Sequence, residues 1–241
     1  MKTLSIIIPV YNEEKTLARV LDKVCNVHLN IKKEMIIIDD GSKDNSRKII
    51  KDFLKKKRNI KDLSIKFFSK ENGGKGSAIR KGIELSLGDI ITIQDADLEY
   101  DPQDYIKLIK PILEGEEEVV FGSRFLKKHV PLYKLYFLGN KFLTLLTKIL
   151  FKAQITDMET CYKVFKKEII KNIELRANRF DIEPEVTAKI LRLGINIKEI
   201  PISYSPRSIE EGKKINWKDG IIAVWTLLYW RFKEIKPNHP R

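Results

Sequence analysis

The chain has 241 residues, 43% of them hydrophobic, with only 12 Gly and 9 Pro; this excludes a disordered or fibrous chain and is enough to bury a full core in one domain. Lys and Arg number 46 against 33 Asp and Glu, a net charge of +13, which favours a polyanionic partner: nucleic acid, an anionic membrane surface or phosphorylated substrates. Cys25 and Cys161 are the only cysteines, too few for a disulfide framework or a zinc site and at home in reducing cytosol.

Met1-Lys2-Thr3 runs directly into an apolar stretch without the pattern of an export signal. Leu4–Ile8, Met35–Ile38, Leu63–Phe68, Ile90–Ile93 and Val119–Phe121 read as strands, and their unbroken apolar character suits a sheet covered on both faces. Helical patterns lie between them, near Glu13–Val24, Asn45–Lys56, Ser77–Leu87 and Pro102–Leu113. Such alternation predicts an α/β fold with a mostly parallel sheet and crossover helices. Ligands then bind beyond the carboxyl ends of the strands. In the second half, Tyr133–Phe151, Phe180–Leu193 and Trp217–Phe232 read as helices and Ile195–Ser203 as a strand. No Gly-, Ser- or Pro-rich linker separates the halves.

After the fourth strand stands Gln94-Asp95-Ala96-Asp97-Leu98-Glu99-Tyr100. In extended backbone, Asp95 and Asp97 share a face and can converge on one cation, while small Ala96 leaves the main chain open to a ligand. Paired carboxylates suit Mg²⁺ or Mn²⁺ that also holds phosphate oxygens. Asp39 and Asp40 leave the second strand as a pair able to accept hydrogen bonds from a base or ribose. Asn72-Gly73-Gly74-Lys75-Gly76-Ser77 opens a helix as a phosphate loop would, but Gly76 follows the lysine where a Walker loop has Ser or Thr. That spacing excludes an NTPase of this type.

Pro9-Val10-Tyr11-Asn12-Glu13, Asp39-Asp40-Gly41-Ser42, Gly74-Lys75-Gly76, Asp95-Ala96-Asp97, Gly122-Ser123-Arg124 and Tyr204-Ser205-Pro206-Arg207 occur in this order. Together they resemble the family-two inverting glycosyltransferases with the GT-A fold, a Rossmann-like sheet flanked by helices, and within them the dolichyl-phosphate mannosyltransferase-like branch. The resemblance implies transfer of mannose or glucose from GDP-mannose or UDP-glucose to a polyprenyl or dolichyl phosphate. It places Pro9, Tyr11, Glu13, Ile38 and Asp40 around the base and ribose. Asp95, Ala96 and Asp97 fall at the sugar diphosphate and metal, with Glu99, a position often Gln in this branch, as a further metal ligand. Arg124, Arg207 and Lys213 fall at the donor diphosphate or acceptor phosphate, where a guanidinium matches phosphate oxygens bidentately. Asp97, Arg124 and Arg207 are the expected catalytic groups. An acceptor phosphate is already anionic and needs no protein base. Residues 1–241 are expected to form one domain, about 3–125 binding the nucleotide sugar and about 126–232 serving acceptor and membrane. Thr156-Asp157 and Cys161-Tyr162-Lys163 fall near the acceptor, as does the segment around Glu183-Pro184-Glu185.

Between Leu138 and Leu150, Leu138, Phe142, Leu145, Leu146 and Ile149 recur at helical spacing, with Lys141, Thr144 and Lys148 on the other face. Ile221–Trp230 carries Trp225 and Trp230 between Lys218 and Arg231. Both stretches fit either packing on the protein's own sheet or an interfacial anchor. Neither reaches the ~20 apolar residues of a bilayer span, so the expectation is a cytoplasmic protein lying peripherally on a membrane, with no nucleic-acid partner. Two other readings stay open: transfer to a saccharide or protein hydroxyl, with Glu183 or Glu185 as base, and a sugar-nucleotide nucleotidylyltransferase, which lacks its glycine-rich signature after the first strand. Donor binding without transfer would instead mark a non-catalytic scaffold.

Overall fold

Runs of Ile and Val with no polar interruption build the centre of a seven-stranded sheet. The computed structural model describes residues 1–57, 60–127, 133–208, 214 and 216–235. Its strands are β1 (Thr3–Val10), β2 (Lys32–Asp39), β3 (Leu63–Ser69), β4 (Ile90–Ile93), β5 (Val119–Ser123), β6 (Lys163–Lys166) and β7 (Lys198–Pro201). They lie in the order β3-β2-β1-β4-β6-β5-β7. All neighbours are parallel except around β6, which is antiparallel to both β4 and β5. Ile6, Ile7 and Ile8 of β1 and Met35, Ile36, Ile37 and Ile38 of β2 are fully buried, as strands covered on both faces must be.

The helices are α1 (Leu17–Asn26), α2 (Ser46–Lys56), α3 (Lys75–Leu85), α4 (Tyr105–Leu113), α5 (Lys134–Phe151), α6 (Lys167–Lys171), α7 (Ile182–Arg192) and α8 (Trp217–Phe232). Helix α3 lies close on β1: a Cβ at Gly82 would come within 2.2 Å of Ile7 Cγ2. Helices α5, α7 and α8 pack on one another, and α7 is buried from Ile182 through Ile190.

The predicted strands and crossover helices are present, with shifted ends. Helix α1 starts at Leu17, because Glu13 through Thr16 form a turn that aims Glu13 at the site instead. Pro102 opens a 3-10 turn, Pro102–Asp104, whose entry is capped by the Asp101 carboxylate accepting from Gln103 N at 3.2 Å. The sequence reading misses β6 and α6. Four residues bounded by lysines carry too little apolar signal; what makes β6 a strand is the slot between β4 and β5.

Helix α5 turns most of its apolar stripe outward. Leu138, Phe142, Leu145 and Ile149 are exposed, and Thr144 and Thr147 are buried against the protein. Leu146 of the same stripe is half-buried against the core, and Lys141 and Lys148, expected on the opposite face, are exposed alongside the apolar residues. On α8, Ile221, Trp225 and Phe232 likewise point outward, while Ala223, Leu227 and Trp230 face in. Among the described residues, no helix is long and apolar enough to cross a membrane.

Candidate active site

Since β1, β2, β4 and β5 all point the same way, their carboxyl ends meet at one edge. The order reverses between β1 and β4, which opens a crevice there. A cavity of about 340 Å³ fills it, lined by Pro9, Tyr11, Glu13 and Asp40 from the β1 and β2 ends, Asp95, Ala96, Asp97 and Glu99 after β4, and Arg124 after β5. Lys75, Glu159, Arg179, Glu183, Arg207 and Lys214 complete the charged lining.

Asp95 and Asp97 both line this cavity, but β4 ends at Ile93 and Ala96-Asp97 form a turn, so it is the turn and not an extended strand that brings them to the same wall. The strand end that carries them is pinned from behind: Gln94 N donates to Ile7 O at 2.8 Å, and its buried Oε1 accepts from the hydroxyls of Tyr105 and Tyr162. Ala96 O accepts from Thr16 Oγ1 at 2.6 Å. Leu98 then turns the chain in the left-handed region at φ 65°, a conformation costly for a branched side chain and a recurrent mark of functional loops. That turn lets Asp97 Oδ1 accept from Glu99 N at 3.1 Å.

The chain's own cations neutralise these carboxylates. Lys75 Nζ lies 2.8 Å from Asp95 and 3.4 Å from Glu183. Burial works against the Lys75 charge, but Asp95 and Glu183 more than offset it and hold the ammonium above its ordinary range. Arg207 reaches Glu13 and Asp97, each at 3.2 Å. Burial, reinforced by Asp95 and Glu99, still pushes the Asp97 carboxyl up to about 7 despite the opposing Arg207. Two hard carboxylates crowded at one cavity wall fit a divalent cation, whose charge would relieve that crowding.

Several of the expected site residues are engaged by other groups of the chain. Glu99 serves the loop that carries Arg207: its Oε2 accepts from Tyr204 Oη and its Oε1 from Arg207 N, both at 3.0 Å. Among the described residues there is no cluster of three or more His, Cys, Asp or Glu side chains able to hold a metal, so the ion would rest on Asp95 and Asp97 together with ligand oxygens. Glu13 is engaged by Arg207 and by Lys214 at 2.6 Å. Asp40 braces the 73–74 turn, accepting from Gly73 N at 3.0 Å, Gly74 N at 2.7 Å and Lys70. Asp39 faces away, toward Ser42 N, Arg47 and Ser69. Burial disfavours its charge, yet these donors hold its carboxyl below the ordinary value. Ile38 is wholly buried in β2 and does not line the cavity; its side chain belongs to the core. Lys213 lies outside the described residues.

The Gly74-Lys75-Gly76 turn is not an anion cradle either. Gly76 N and Ser77 N donate to the carbonyls of Arg179 and Asn178. At Gly74, φ is 92° and a Cβ would stand 2.4 Å from Asn178 O. The glycines are there so that two backbones can touch.

Arg124 is clamped. Its Nε and Nη2 donate to the two oxygens of Asp157 at 2.7 Å each, and its backbone N adds a third bond at 2.9 Å. Glu199 in turn accepts from the backbone N of Thr156 and Asp157. The guanidinium also stacks 5.1 Å from the Tyr204 ring centroid. Glu185 is structural: it accepts from Arg176 N and Ala177 N and pairs with Lys189 at 2.5 Å. Glu183 does line the cavity, paired at 2.5 Å with Lys163. Glu159 and Lys214 were given no role from sequence, and Lys75 and Asp157, though quoted within the Gly74-Lys75-Gly76 and Thr156-Asp157 motifs, were not matched to Asp95 and Arg124, because such partners lie far away in the chain.

The model of the family described as glycosyl transferase family 2 matches residues 5–174. The chain belongs to that family. Family membership makes it a glycosyltransferase, and the sheet described above is the GT-A fold. A "UDP-N-acetylglucosamine--dolichyl-phosphate N-acetylglucosaminyltransferase" of Methanococcus voltae is 33% identical over 89% of this chain and 91% of its own length. A "Dolichyl-phosphate beta-glucosyltransferase ALG5A" of Trichomonas vaginalis is 30% identical, over 84% of this chain and 65% of that one. A "Dolichol-phosphate mannosyltransferase" of Pyrococcus furiosus is 26% identical, over 87% and 58%. Among solved structures, glucosyl-3-phosphoglycerate synthase from Mycobacterium tuberculosis, in complex with Mn²⁺ and UDP-glucose, superposes with a TM-score of 0.71. It covers 95% of this chain and 79% of that one at 19% identity, a likeness of fold.

Proposed function

We propose that this glycosyltransferase moves a sugar from a nucleoside diphosphate sugar to a dolichyl-type polyprenyl phosphate, with inversion and with Mg²⁺ or Mn²⁺ bound. The observation that carries this reading is one cavity in which Asp95 and Asp97 stand beside Lys75, Arg207 and Arg124. Relatives named for N-acetylglucosaminyl, glucosyl and mannosyl transfer to dolichyl phosphate support the acceptor class, and they widen the sugar from mannose or glucose to include N-acetylglucosamine. The first half, about 3–125, would hold the donor and the second, about 126–232, the acceptor.

Asp95 and Asp97 would hold the metal ion, which when bound offsets charge on the leaving diphosphate. Tyr11, Pro9 and Asp40 border the nucleoside end. Arg207 is long enough to exchange its carboxylate partners for phosphate oxygens and stabilise the charge that develops as the anomeric bond breaks. Arg124, fixed by Asp157, presents its remaining edge to the acceptor phosphate. That phosphate carries its own negative charge, so no proton has to be removed from it.

Helix α5 links the cavity to the outer apolar surface. Tyr136 and Asn140 line the cavity, while Leu135, Leu138, Phe142, Leu145 and Ile149 on the same helix are exposed. With Trp225 and Phe232 of the adjoining α8 and the exposed Lys141, Lys148, Lys218 and Arg231, they make an apolar face with a basic surround. Such a face suits the interface of an anionic membrane, here the cytosolic one, and would let a lipid tail remain in the bilayer while its phosphate enters.

The test supplies UDP-glucose, UDP-N-acetylglucosamine or GDP-mannose with Mn²⁺ or Mg²⁺ and a short polyprenyl phosphate, and follows lipid-linked sugar and free nucleoside diphosphate. Product with the phosphate but not with the matching polyprenol is expected. Transfer to a free saccharide or protein hydroxyl, and none to the lipid phosphate, would refute the proposal.

A further inference from the structure

The cavity wall carries a carboxyl oxygen that no described residue satisfies. Glu159 sits in the turn between Asp157, which clamps Arg124, and Thr160, whose carbonyl binds Lys163. It lines the cavity and is half-buried. Its Oε1 is closed off from solvent and has no hydrogen-bond partner among the described residues. The neighbouring cations are spoken for: Arg124 by Asp157, and Lys163 by Glu183, Met158 O and Thr160 O. Glu183 Oε1 is in a similar position, 3.4 Å from Lys75 but without a hydrogen bond. Unsatisfied buried acceptors cost folding free energy, and in native proteins they call for an explanation.

The layout supplies one. Asp95 marks the diphosphate, and the nucleoside end lies toward Pro9, Tyr11 and Asp40. The sugar on the far side of the diphosphate must then extend past Lys75, which contacts both Asp95 and Glu183, toward Glu159. A pyranose brings the hydroxyl donors that this wall lacks. We infer that Glu159 is a specificity-determining residue for the transferred sugar, its carboxyl meeting the hydroxyls of a neutral pyranose alongside Glu183. This inference rests on the transferase reading above. Burial pushes the Glu159 carboxyl up to about 7 against the pull of Lys163, as expected of an acid whose hydrogen-bond donors arrive with a ligand.

Calorimetry with Mn²⁺ present tests it, comparing UDP with UDP-glucose and UDP-N-acetylglucosamine, and GDP with GDP-mannose. For the preferred donor, Glu159→Ala should weaken binding of the nucleotide sugar about 10- to 100-fold, the loss expected for hydrogen bonds to a charged group, and leave the matching nucleoside diphosphate unchanged. Glu159→Gln, which keeps an acceptor oxygen, should lose only a few-fold. A ligand-side series needs no variant of uncertain folding: replacing the sugar hydroxyls one at a time by fluorine should weaken binding to the unaltered chain by about 10-fold at one position or more. Undiminished nucleotide-sugar affinity in Glu159→Ala, or a fluorine series without effect, overturns this inference alone. If the unaltered chain binds no nucleotide or nucleotide sugar, the transferase reading falls and this inference with it.

Discussion

Nη2 of Arg207 stands 3.2 Å from Oδ2 of Asp97, so the chain sets its own cation against the carboxylate proposed to hold the metal. Arg207 and the ion compete for one charge. Arg207→Ala should therefore tighten binding of Mn²⁺ alone by roughly 3- to 10-fold, the effect of removing one competing cation at a partly exposed site. The same change should lower transfer by about 10²- to 10³-fold, because the diphosphate loses a stabilising donor. Manganese titration by electron paramagnetic resonance, run beside the transfer assay, checks both signs.

Asp97→Ala should abolish turnover, with a drop of at least about 10³-fold on the scale of lost electrostatic stabilisation. Removing divalent ions with EDTA should do the same to the unaltered protein, and Mn²⁺ or Mg²⁺ should restore it. Near-normal activity in Asp97→Ala would rule out the metal role of this residue.

Asp157 holds Arg124 by three hydrogen bonds, and both side chains are buried. Asp157→Ala leaves a buried guanidinium unpaired and should cost about 3–5 kcal/mol, seen as a lower chemical denaturation midpoint. Combining it with Arg124→Met should recover much of that loss without recovering transfer. Equal stability of the single and double variants would show that the clamp is not the source of the effect.

The folded chain holds the Glu159 proton up to about 7, against an ordinary value of 4.5. The folded state thus binds this proton more tightly than the unfolded state does, and stability falls as pH rises from 4.5 to about 7, then levels. Glu159→Gln removes that dependence. It should match the unaltered chain near pH 4.5 and exceed it by on the order of 2 kcal/mol above pH 7, measured by denaturant melts across this range. A stability difference that does not vary with pH would contradict the buried, proton-holding environment of Glu159.

Phe142→Glu with Trp225→Glu should cut sedimentation with anionic vesicles several-fold, since each change removes exposed apolar area and adds a charge that an anionic surface repels. Nucleotide binding should be unaffected, because neither residue lines the cavity. Unchanged vesicle binding would remove α5 and α8 as the membrane face.

Much of the architecture was written locally. Unbroken runs such as Ile6-Ile7-Ile8 and Met35-Ile36-Ile37-Ile38 can satisfy their burial only inside a doubly covered sheet. Polarity and length alone deny α5 and α8 the reach of a bilayer span, whereas Asp95 and Asp97 share a cavity wall through a turn after β4 that the extended-strand reading of their spacing did not foresee. The facts that needed tertiary structure are relations between distant segments. Glu99 serves Tyr204 and Arg207 more than a hundred positions away, Arg124 depends on Asp157, β6 exists because β4 and β5 leave it a slot, and Glu159 is notable only because nearby Arg124 and Lys163 are already paired with Asp157 and Glu183. A side chain's alphabetic identity and near neighbours record its own chemistry and the local backbone period; its partners, and hence its charge state and role, are chosen by the packing of elements that the chain brings together only on folding.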